Sequence, residues 1–132
     1  MIVVGVTGSR SLNHELRDKP RVYHYLDRAW EHHGPFRLAH GCCPEGGDRF
    51  AAEWCEERGV EQVPFPPAGK TTADYCARNI QIAEACDILV AFWDGRSGGT
   101  RHTMQEAARL GKRMFDVLAA GQGRQPWKPR AG

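Results

Sequence analysis

Short apolar segments alternate with amphipathic segments along the whole sequence, and this alternation constrains the fold more than any other feature. The runs IVVGVT and DILVAFW are the clearest, and such runs are typical of strands buried on both faces. The five predicted strands span residues 2–7, 36–40, 60–65, 87–93 and 113–118. The run 87–93 is nearly all apolar and is predicted to be central. Strands that alternate with helices form a parallel sheet between helix layers. The sequence therefore predicts a single α/β domain, a Rossmann-like three-layer fold with a mainly parallel five-stranded sheet between helices.

Four segments with helical periodicity connect these strands, at residues 14–33, 49–58, 73–85 and 100–110. Proline is tolerated only in the first turn of a helix, so Pro20 predicts that the regular part of the first helix begins near Lys19. Each connection is short, which leaves no room for a second domain between the elements.

The composition limits the class of protein. The chain is 41% hydrophobic and 26% charged, as in globular proteins. Its apolar runs are much shorter than the roughly 20 residues of a membrane-spanning helix. The N-terminus, MIVVGVTGSR, lacks the basic start of a secretory signal. We therefore expect a cytoplasmic protein with no membrane partner.

The five cysteines predict reduced thiols rather than a disulfide framework or a metal site. Their number is odd, and no pair has Cys-x-x-Cys spacing. His40, Cys42 and Cys43 lie close together in the sequence, but a fourth ligand at suitable spacing is missing. No metal and no cofactor are predicted.

The net charge of +2 depends on the C-terminal residues Arg124, Lys128 and Arg130. Without these three, 15 basic and 16 acidic residues remain. A nucleic-acid interface needs a clustered basic face, so this balance argues against a nucleic-acid partner. We expect a domain over residues 1–118 and a basic, flexible tail over 119–132. Contact of the tail with nucleic acid or an acidic partner is the alternative to a solvated tail.

Glycine, serine and threonine are concentrated in the loops that leave the predicted strands, which read TGSRS, GCCPEGGD, PPAGKTT and DGRSGGT. The loops that lead into strands contain fewer glycine, serine and threonine residues. Ligands of open α/β sheets bind at the carboxyl ends of the strands, and glycine lets the backbone approach a ligand closely. The sequence therefore predicts a ligand site along this edge of the sheet.

The stretch SGGT before the last helix predicts that the ligand carries phosphate. A helix N-terminus binds anions through its N–H groups and its dipole. Gly98 and Gly99 permit the turn, Thr100 can cap the helix or bond a phosphate oxygen, and Ser9 and Arg10 are further donors. For each loop alone, the alternative is that such residues only form turns and caps. Neither a Walker sequence nor G-x-G-x-x-G after the first strand occurs, which argues against a nucleoside triphosphatase and a dehydrogenase.

Four segments in this order resemble the YspA-like branch of the SLOG superfamily over residues 1–118. They are GVTGSR, HGCCPEGGDRFAAEWC, ARN at 77–79 and ILVAFWDGRSGGT. The resemblance implies a Rossmann-like domain that binds nucleotides or nucleotide-derived, ADP-ribose-type signals, often as a homodimer. The binding residues that it implies are Gly8, Ser9, Arg10, His40, Gly41, Gly46, Gly47, Asp48, Arg78, Asn79, Gly98, Gly99 and Thr100.

Related phosphoribohydrolases of the lonely-guy type hydrolyse the N-glycosidic bond of a nucleoside monophosphate. They carry acidic residues two and three places after the threonine of a Gly-Gly-x-Gly-Thr motif, where this chain has His102 and Thr103. The prediction is therefore a sensor or sequestering protein that leaves its ligand unchanged. The alternative is a nucleotide N-glycosidase in which Arg78 orients the sugar and Asp48 or Glu106 is the acid–base group.

Five further roles are left open by the sequence. Asp48 is either a base or ribose ligand in the site, or a first-turn helix residue stabilised by the helix dipole. Asp94 is either a ribose ligand or base in the site, or a residue that forms the turn. Trp93 is expected in the core, with stacking on a base as the alternative. His102 either contacts the ligand or faces solvent. The helices that carry Tyr23, Trp30 and Trp54 are candidates for a dimer surface.

Overall fold

The computed structural model describes residues 1–118, and the predicted tail at 119–132 lies outside the described residues. The strands are β1 (Ile2–Gly8), β2 (Phe36–His40), β3 (Gln62–Pro64), β4 (Ile88–Phe92) and β5 (Arg113–Asp116). The helices are α1 (Asp18–His33), α2 (Gly47–Arg58), α3 (Thr72–Ala85) and α4 (Gly98–Arg109). Strands and helices alternate as predicted.

The five strands form one sheet in the order β3-β2-β1-β4-β5, and every pairing is parallel. The predicted fold class is confirmed. The prediction that 87–93 is the central strand is wrong, because β1 takes the middle position and β4 lies beside it. Gly5 of β1 is aligned with Ala39 on one side and with Leu89 on the other.

Alternate residues of β1 face two separate cores. Val4 and Val6 pack with α1 and α2 residues such as Leu26 and Trp54. Val3 faces the opposite side and packs with α3 and α4 residues such as Met104. Side chains of a strand point alternately to the two faces, so this pattern fixes the three layers. Thr7, at the end of β1, lies on the α3/α4 side by the same alternation.

Three strands are shorter than predicted, and β4 spans Ile88–Phe92 rather than 87–93. Residues 60–65 were expected in the third strand, but Val60 follows the C-cap of α2, and its N–H donates to Cys55 O in the last turn of that helix at 2.9 Å. The prolines from Pro64 onward lack the N–H that a longer strand would need. The last strand ends at Asp116, and Val117 and Leu118 turn into helical conformation and are buried.

Trp54 lies in the core, which corrects its assignment to a dimer surface. Its side chain is 1% exposed and stacks on Phe36 with 5.9 Å between ring centroids. Its indole Nε1 donates to Asp27 Oδ1 at 2.9 Å. Of the three aromatic residues considered for that surface, only Tyr23 and Trp30 are partly exposed.

Candidate functional site

A cleft of about 590 Å³ lies at the carboxyl ends of β1 and β4. The chain passes from β1 to β2 on one side and from β4 to β5 on the other, so the strand order reverses here. Such a reversal is where open α/β sheets bind ligands. The lining comes from the end of β1, the loops after β1, β2 and β4, the start of α2, one side of α3 and the start of α4.

Two backbone N–H groups at the N-terminus of α4 are available to a ligand. The first N–H groups of any helix have no partner within the helix. Here the N–H of Ser97 donates to Asp94 Oδ1 at 2.8 Å, and that of Thr100 donates to Ser97 Oγ at 3.5 Å. Within residues 1–118, the N–H groups of Gly98 and Gly99 make no hydrogen bond. Both glycines line the cleft, and a Cβ at either would meet no atom within 4 Å. The helix therefore has two backbone donors without a protein partner, at residues that line the cleft.

Hydroxyl groups tie the loop after β1 to the start of α4. Ser9 Oγ donates to Thr100 Oγ1 at 3.4 Å and accepts from Asp94 N–H at 3.1 Å. Both hydroxyl residues are buried. Ser9 does not itself line the cleft, whereas Thr100 does. Ser9 therefore positions the helix N-terminus rather than a ligand.

Asp94 forms the turn that leads into α4, and it also lines the cleft. Its Oδ1 accepts from the N–H groups of Arg96 and Ser97, both at 2.8 Å, and its Oδ2 accepts from Ser11 Oγ at 2.6 Å. Burial by itself raises the pKa of Asp94, but the hydrogen bonds from Ser11, Ser97 and Arg96 lower it below the usual aspartate value. The turn is therefore built around an ionised carboxylate.

We expect Asp94→Ala to reduce the free energy of unfolding by about 1 kcal/mol near neutral pH, as loss of a capping side chain does. The folded-state pKa is lowered, so the ionised carboxylate stabilises the fold above the unfolded pKa of about 4 and loses this effect as the pH falls through the folded pKa. Urea unfolding at several pH values measures the difference between wild type and variant. A difference that does not shrink in acid would contradict this role of the charge.

Asp48 is a buried carboxylate at the start of α2. Its Oδ2 accepts from the N–H of Gly41 at 3.0 Å and from that of Cys43 at 3.4 Å, which closes the loop after β2. Burial raises the pKa of Asp48, although His40 and Arg78 act in the opposite direction. Asp48 also lines the cleft, so the carboxyl group that closes this loop is accessible to a ligand in the cleft.

His40 is committed to the same loop. Its Nε2 lies 2.7 Å from Gln62 Oε1, and its Nδ1 accepts from Cys42 N–H at 3.1 Å. Since an amide oxygen only accepts, the Nε2–H of His40 donates to Gln62 Oε1. Both ring nitrogens are thus used within the protein, and His40 does not line the cleft.

Arg78 and Asn79 of α3 reach the loop after β2 and the start of α4. Arg78 Nε donates to Asn79 Oδ1 at 2.9 Å, and Arg78 Nη1 donates to Gly41 O. Asn79 Nδ2 lies 3.3 Å from both Gly99 O and His102 Nδ1. Gly41 has no side chain, and a Cβ there would collide with the Arg78 guanidinium. The glycine is therefore needed for Arg78 to reach its place.

Gly8, Gly46 and Gly47 bring α2 against the end of β1. A Cβ on Gly8 would lie 2.5 Å from Gly47 Cα, and a Cβ on Gly46 would collide with Ser9 O. Gly46 also has a φ of +79°, a backbone conformation that residues with a side chain rarely adopt. Gly46 and Gly47 do not line the cleft, so these two glycines serve backbone packing.

The cleft brings together nine of the fifteen residues predicted to bind or act on the ligand: Gly8, Arg10, Asp48, Arg78, Asn79, Asp94, Gly98, Gly99 and Thr100. It is also lined by His102, whose role the sequence left open. Outside its lining are Ser9, His40, Gly41, Gly46, Gly47 and Glu106. Glu106 instead pairs with Arg109 at 2.8 Å and lies 3.7 Å from His102 Nε2. The helical rise carries Glu106 away from the N-terminus of α4, so the structure does not bring this carboxylate into the cleft.

Tyr75, Cys76 and Ile82 line the cleft but were not predicted. Tyr75 is three residues before Arg78. Cys76 and Ile82 are three residues before and three residues after Asn79, so all three lie on the same side of α3 as Arg78 and Asn79. Helical periodicity around Arg78 and Asn79 was the signal that could have identified them. Trp93 packs against the α3/α4 core, as expected, and is not among the lining residues.

The cleft is suited to an anion with an attached apolar or aromatic group. Arg10 and Arg78 supply positive charge, and Tyr75 and Ile82 supply apolar surface. Cys43 and the Tyr75 hydroxyl beside Arg10 raise the pKa of its guanidinium, so Arg10 stays charged. Among residues 1–118, no three His, Cys, Asp or Glu side chains group as a metal site requires. All five cysteines are free thiols, and no helix in the described range is long and apolar enough to cross a membrane.

The fold and the position of the cleft define a Rossmann-like domain with a candidate ligand site at the reversal of its strand order. Residues 2–71 match the model of the YspA, cpYpsA-related SLOG family, and the chain belongs to this family. The resemblance found in the sequence is thereby confirmed. No match was found among curated proteins.

Among solved structures, the chain is similar to the molybdenum cofactor carrier protein of Chlamydomonas reinhardtii, with a TM-score of 0.63 and 22% sequence identity. The alignment covers 86% of this chain and 74% of the carrier protein. At this identity the similarity supports the fold.

Proposed function

We propose that this protein binds a nucleotide or a nucleotide-derived molecule in the cleft between β1 and β4 and leaves it chemically unchanged, as a sensor or a sequestering protein. In this proposal, a phosphate group of the ligand accepts hydrogen bonds from the N–H groups of Gly98 and Gly99. The apolar surface of Tyr75 and Ile82 contacts the remainder of the ligand.

The observation that carries the proposal is the pair of unpaired N–H groups at Gly98 and Gly99, two residues that line the cleft and have free space beside their Cα atoms. Every neighbouring donor at this helix end within the described residues has a partner, supplied by Asp94 or by Ser97. A phosphate would satisfy the remaining pair and would interact favourably with the helix dipole. The name of the Chlamydomonas protein, a carrier, is consistent with binding as the role of this fold.

The second candidate function is hydrolysis of the N-glycosidic bond of a nucleoside monophosphate. The observation that favours it is Asp48, a buried carboxyl group in the cleft with a raised pKa and with Arg78 close enough to act on it. Such a carboxyl group can act as a general acid or base. Its two hydrogen bonds to backbone N–H groups weaken this candidate, because they explain its burial without catalysis.

A recovery experiment separates the two candidates. The protein is mixed with AMP, NAD, ADP-ribose and cyclic ADP-ribose, passed through a filter that retains protein, and then heated to release what is bound. Both fractions are analysed by liquid chromatography with mass detection. A ligand that is retained and recovered intact supports the binding function. Free base together with a sugar phosphate identifies the hydrolase, and no retention of any of the four contradicts the proposal.

Gly99→Val is expected to weaken binding of AMP at least about tenfold, the loss that corresponds to one charge-assisted hydrogen bond. The side chain has space in the empty protein but would occupy the place of the phosphate. Ala73→Val is the matched control, because Ala73 is also the second residue of its helix, is exposed and does not line the cleft. Isothermal titration calorimetry of both variants measures the effect. Equal affinities would contradict a phosphate at this helix end.

A further inference from the structure

A second cavity of about 240 Å³ adjoins the cleft. It lies between the loops that follow β2 and β3, and its lining includes Pro44, Pro67 and Lys70. Arg10, Cys43, Tyr75 and Arg78 line both this cavity and the cleft. The two spaces therefore share one wall, and a single ligand can occupy both.

The second cavity is lined by three positive charges and by no carboxylate. The positive groups are Arg10, Lys70 and Arg78. None of the ion pairs formed within residues 1–118 involves any of the three. Two carboxyl groups lie near this cavity, and both are committed within the protein. Asp74 accepts from Thr71 N–H at 3.2 Å at the N-terminus of α3. Asp48, on which Arg78 acts, accepts from the N–H groups of Gly41 and Cys43. Positive charges that lie close together repel each other, and an anion bound among them would offset this electrostatic repulsion.

The two arginines are held in position by the protein before any ligand binds. Each guanidinium carbon lies 5.7 Å from the centre of the Tyr75 ring. Arg78 is fixed further by its bonds to Asn79 Oδ1 and Gly41 O, which use two of its N–H groups and leave the others available. Donors held in place before binding lose less conformational entropy when the ligand arrives.

We propose that this cavity binds a second phosphate group of the same ligand, so that the site takes nucleotides with two phosphate groups in preference to nucleoside monophosphates. The inference rests on the proposed function, which places the first phosphate at the N-terminus of α4. Arg10 and Arg78 lie between the two positions and contact both phosphates. Lys70 contacts only the second, because it lines only the second cavity.

The test compares the affinities of AMP, adenosine 3′,5′-bisphosphate and ADP-ribose for the full chain by calorimetry at constant ionic strength. The last two probes carry the second phosphate on the ribose and in a diphosphate linkage, respectively. We expect at least one of them to bind about tenfold or more tightly than AMP. We expect Lys70→Gln to remove about tenfold of this advantage and to leave the affinity for AMP unchanged. Lys70→Arg, which keeps the charge, is expected to retain most of the advantage.

Lys112→Gln is the control for loss of a lysine charge elsewhere, because Lys112 follows α4 and donates to Glu84 O outside both cavities. The inference is overturned if AMP binds as tightly as both other probes, or if Lys70→Gln leaves their advantage intact. It is also overturned if Lys70→Gln weakens AMP as much as the other probes. These results leave the proposed function standing, whereas failure of all three probes to bind contradicts the proposed function as well.

Discussion

Replacement of Gly8 by alanine is expected to lower the free energy of unfolding by about 3 kcal/mol, at the upper end of the range for overpacking in a core. The added Cβ would lie 2.5 Å from Gly47 Cα and 2.8 Å from Gly47 N. Both are backbone atoms, so no side chain can rotate away. The first turn of α2 would have to move off β1, which disturbs the buried residues behind it, such as Phe50. Chemical denaturation followed by circular dichroism measures the loss.

Gly98→Ala is the control for this prediction. Its Cβ would meet no atom within 4 Å, so we expect a change of at most about 0.5 kcal/mol. Both variants add one methyl group at the same edge of the sheet, but only the methyl group at Gly8 would meet backbone atoms. A loss below about 1 kcal/mol for Gly8→Ala would show that α2 shifts at little cost, and it would contradict the packing role assigned to Gly8.

Asp48→Ala is expected to cost about 2–4 kcal/mol, because it leaves two backbone donors in a closed loop without an acceptor. These donors are the N–H groups of Gly41 and Cys43. Asp48→Asn keeps an acceptor oxygen of similar size, so we expect it to stay within about 1 kcal/mol of wild type. Thermal and urea unfolding of the two variants give the comparison. Equal and small losses in both would mean that the carboxyl group does not hold this loop.

The pH dependence gives a second test of Asp48. Burial raises its folded pKa above the unfolded value, so the stabilisation by the neutral carboxyl group is complete below the unfolded pKa and is lost as the pH rises through the folded pKa. Asp48→Asn cannot ionise and does not lose this stabilisation. The variant should therefore improve relative to wild type as the pH rises over that range. An improvement on acidification instead would reverse the sign and contradict the burial argument.

The sequence predicted the order of strands and helices well because hydrophobic periodicity reports burial directly. It did not predict which strand lies in the middle, since the more apolar run DILVAFW and the run IVVGVT both form interior strands. The position depends on which strands pair over long distances in the chain. The ends of β3 and β5 were also missed, because the cap of α2 and the turn at Val117 involve residues as apolar as those of a strand.

The glycine-rich loops were predicted to face a ligand, but only some of their glycines line the cleft. Gly98 and Gly99 line the cleft, whereas Gly46 and Gly47 pack against the end of β1. A close approach by a ligand and a close approach by backbone both require the absence of a Cβ, so one loop alone cannot distinguish them. Asp48 was equally ambiguous, since a first-turn carboxylate can stabilise a helix, close a loop or face a ligand.

The bond between Ser9 and Thr100 joins positions 91 residues apart in the sequence. The proposed anion site at α4 thus depends on a contact between the loop after β1 and the helix after β4, which meet only when these two strands have paired. A ligand that binds there stabilises the complete fold against global unfolding by mass action, in proportion to the logarithm of its concentration. In a cell, chaperones and proteases act on the unfolded fraction, so the lifetime of this protein would follow the supply of its ligand.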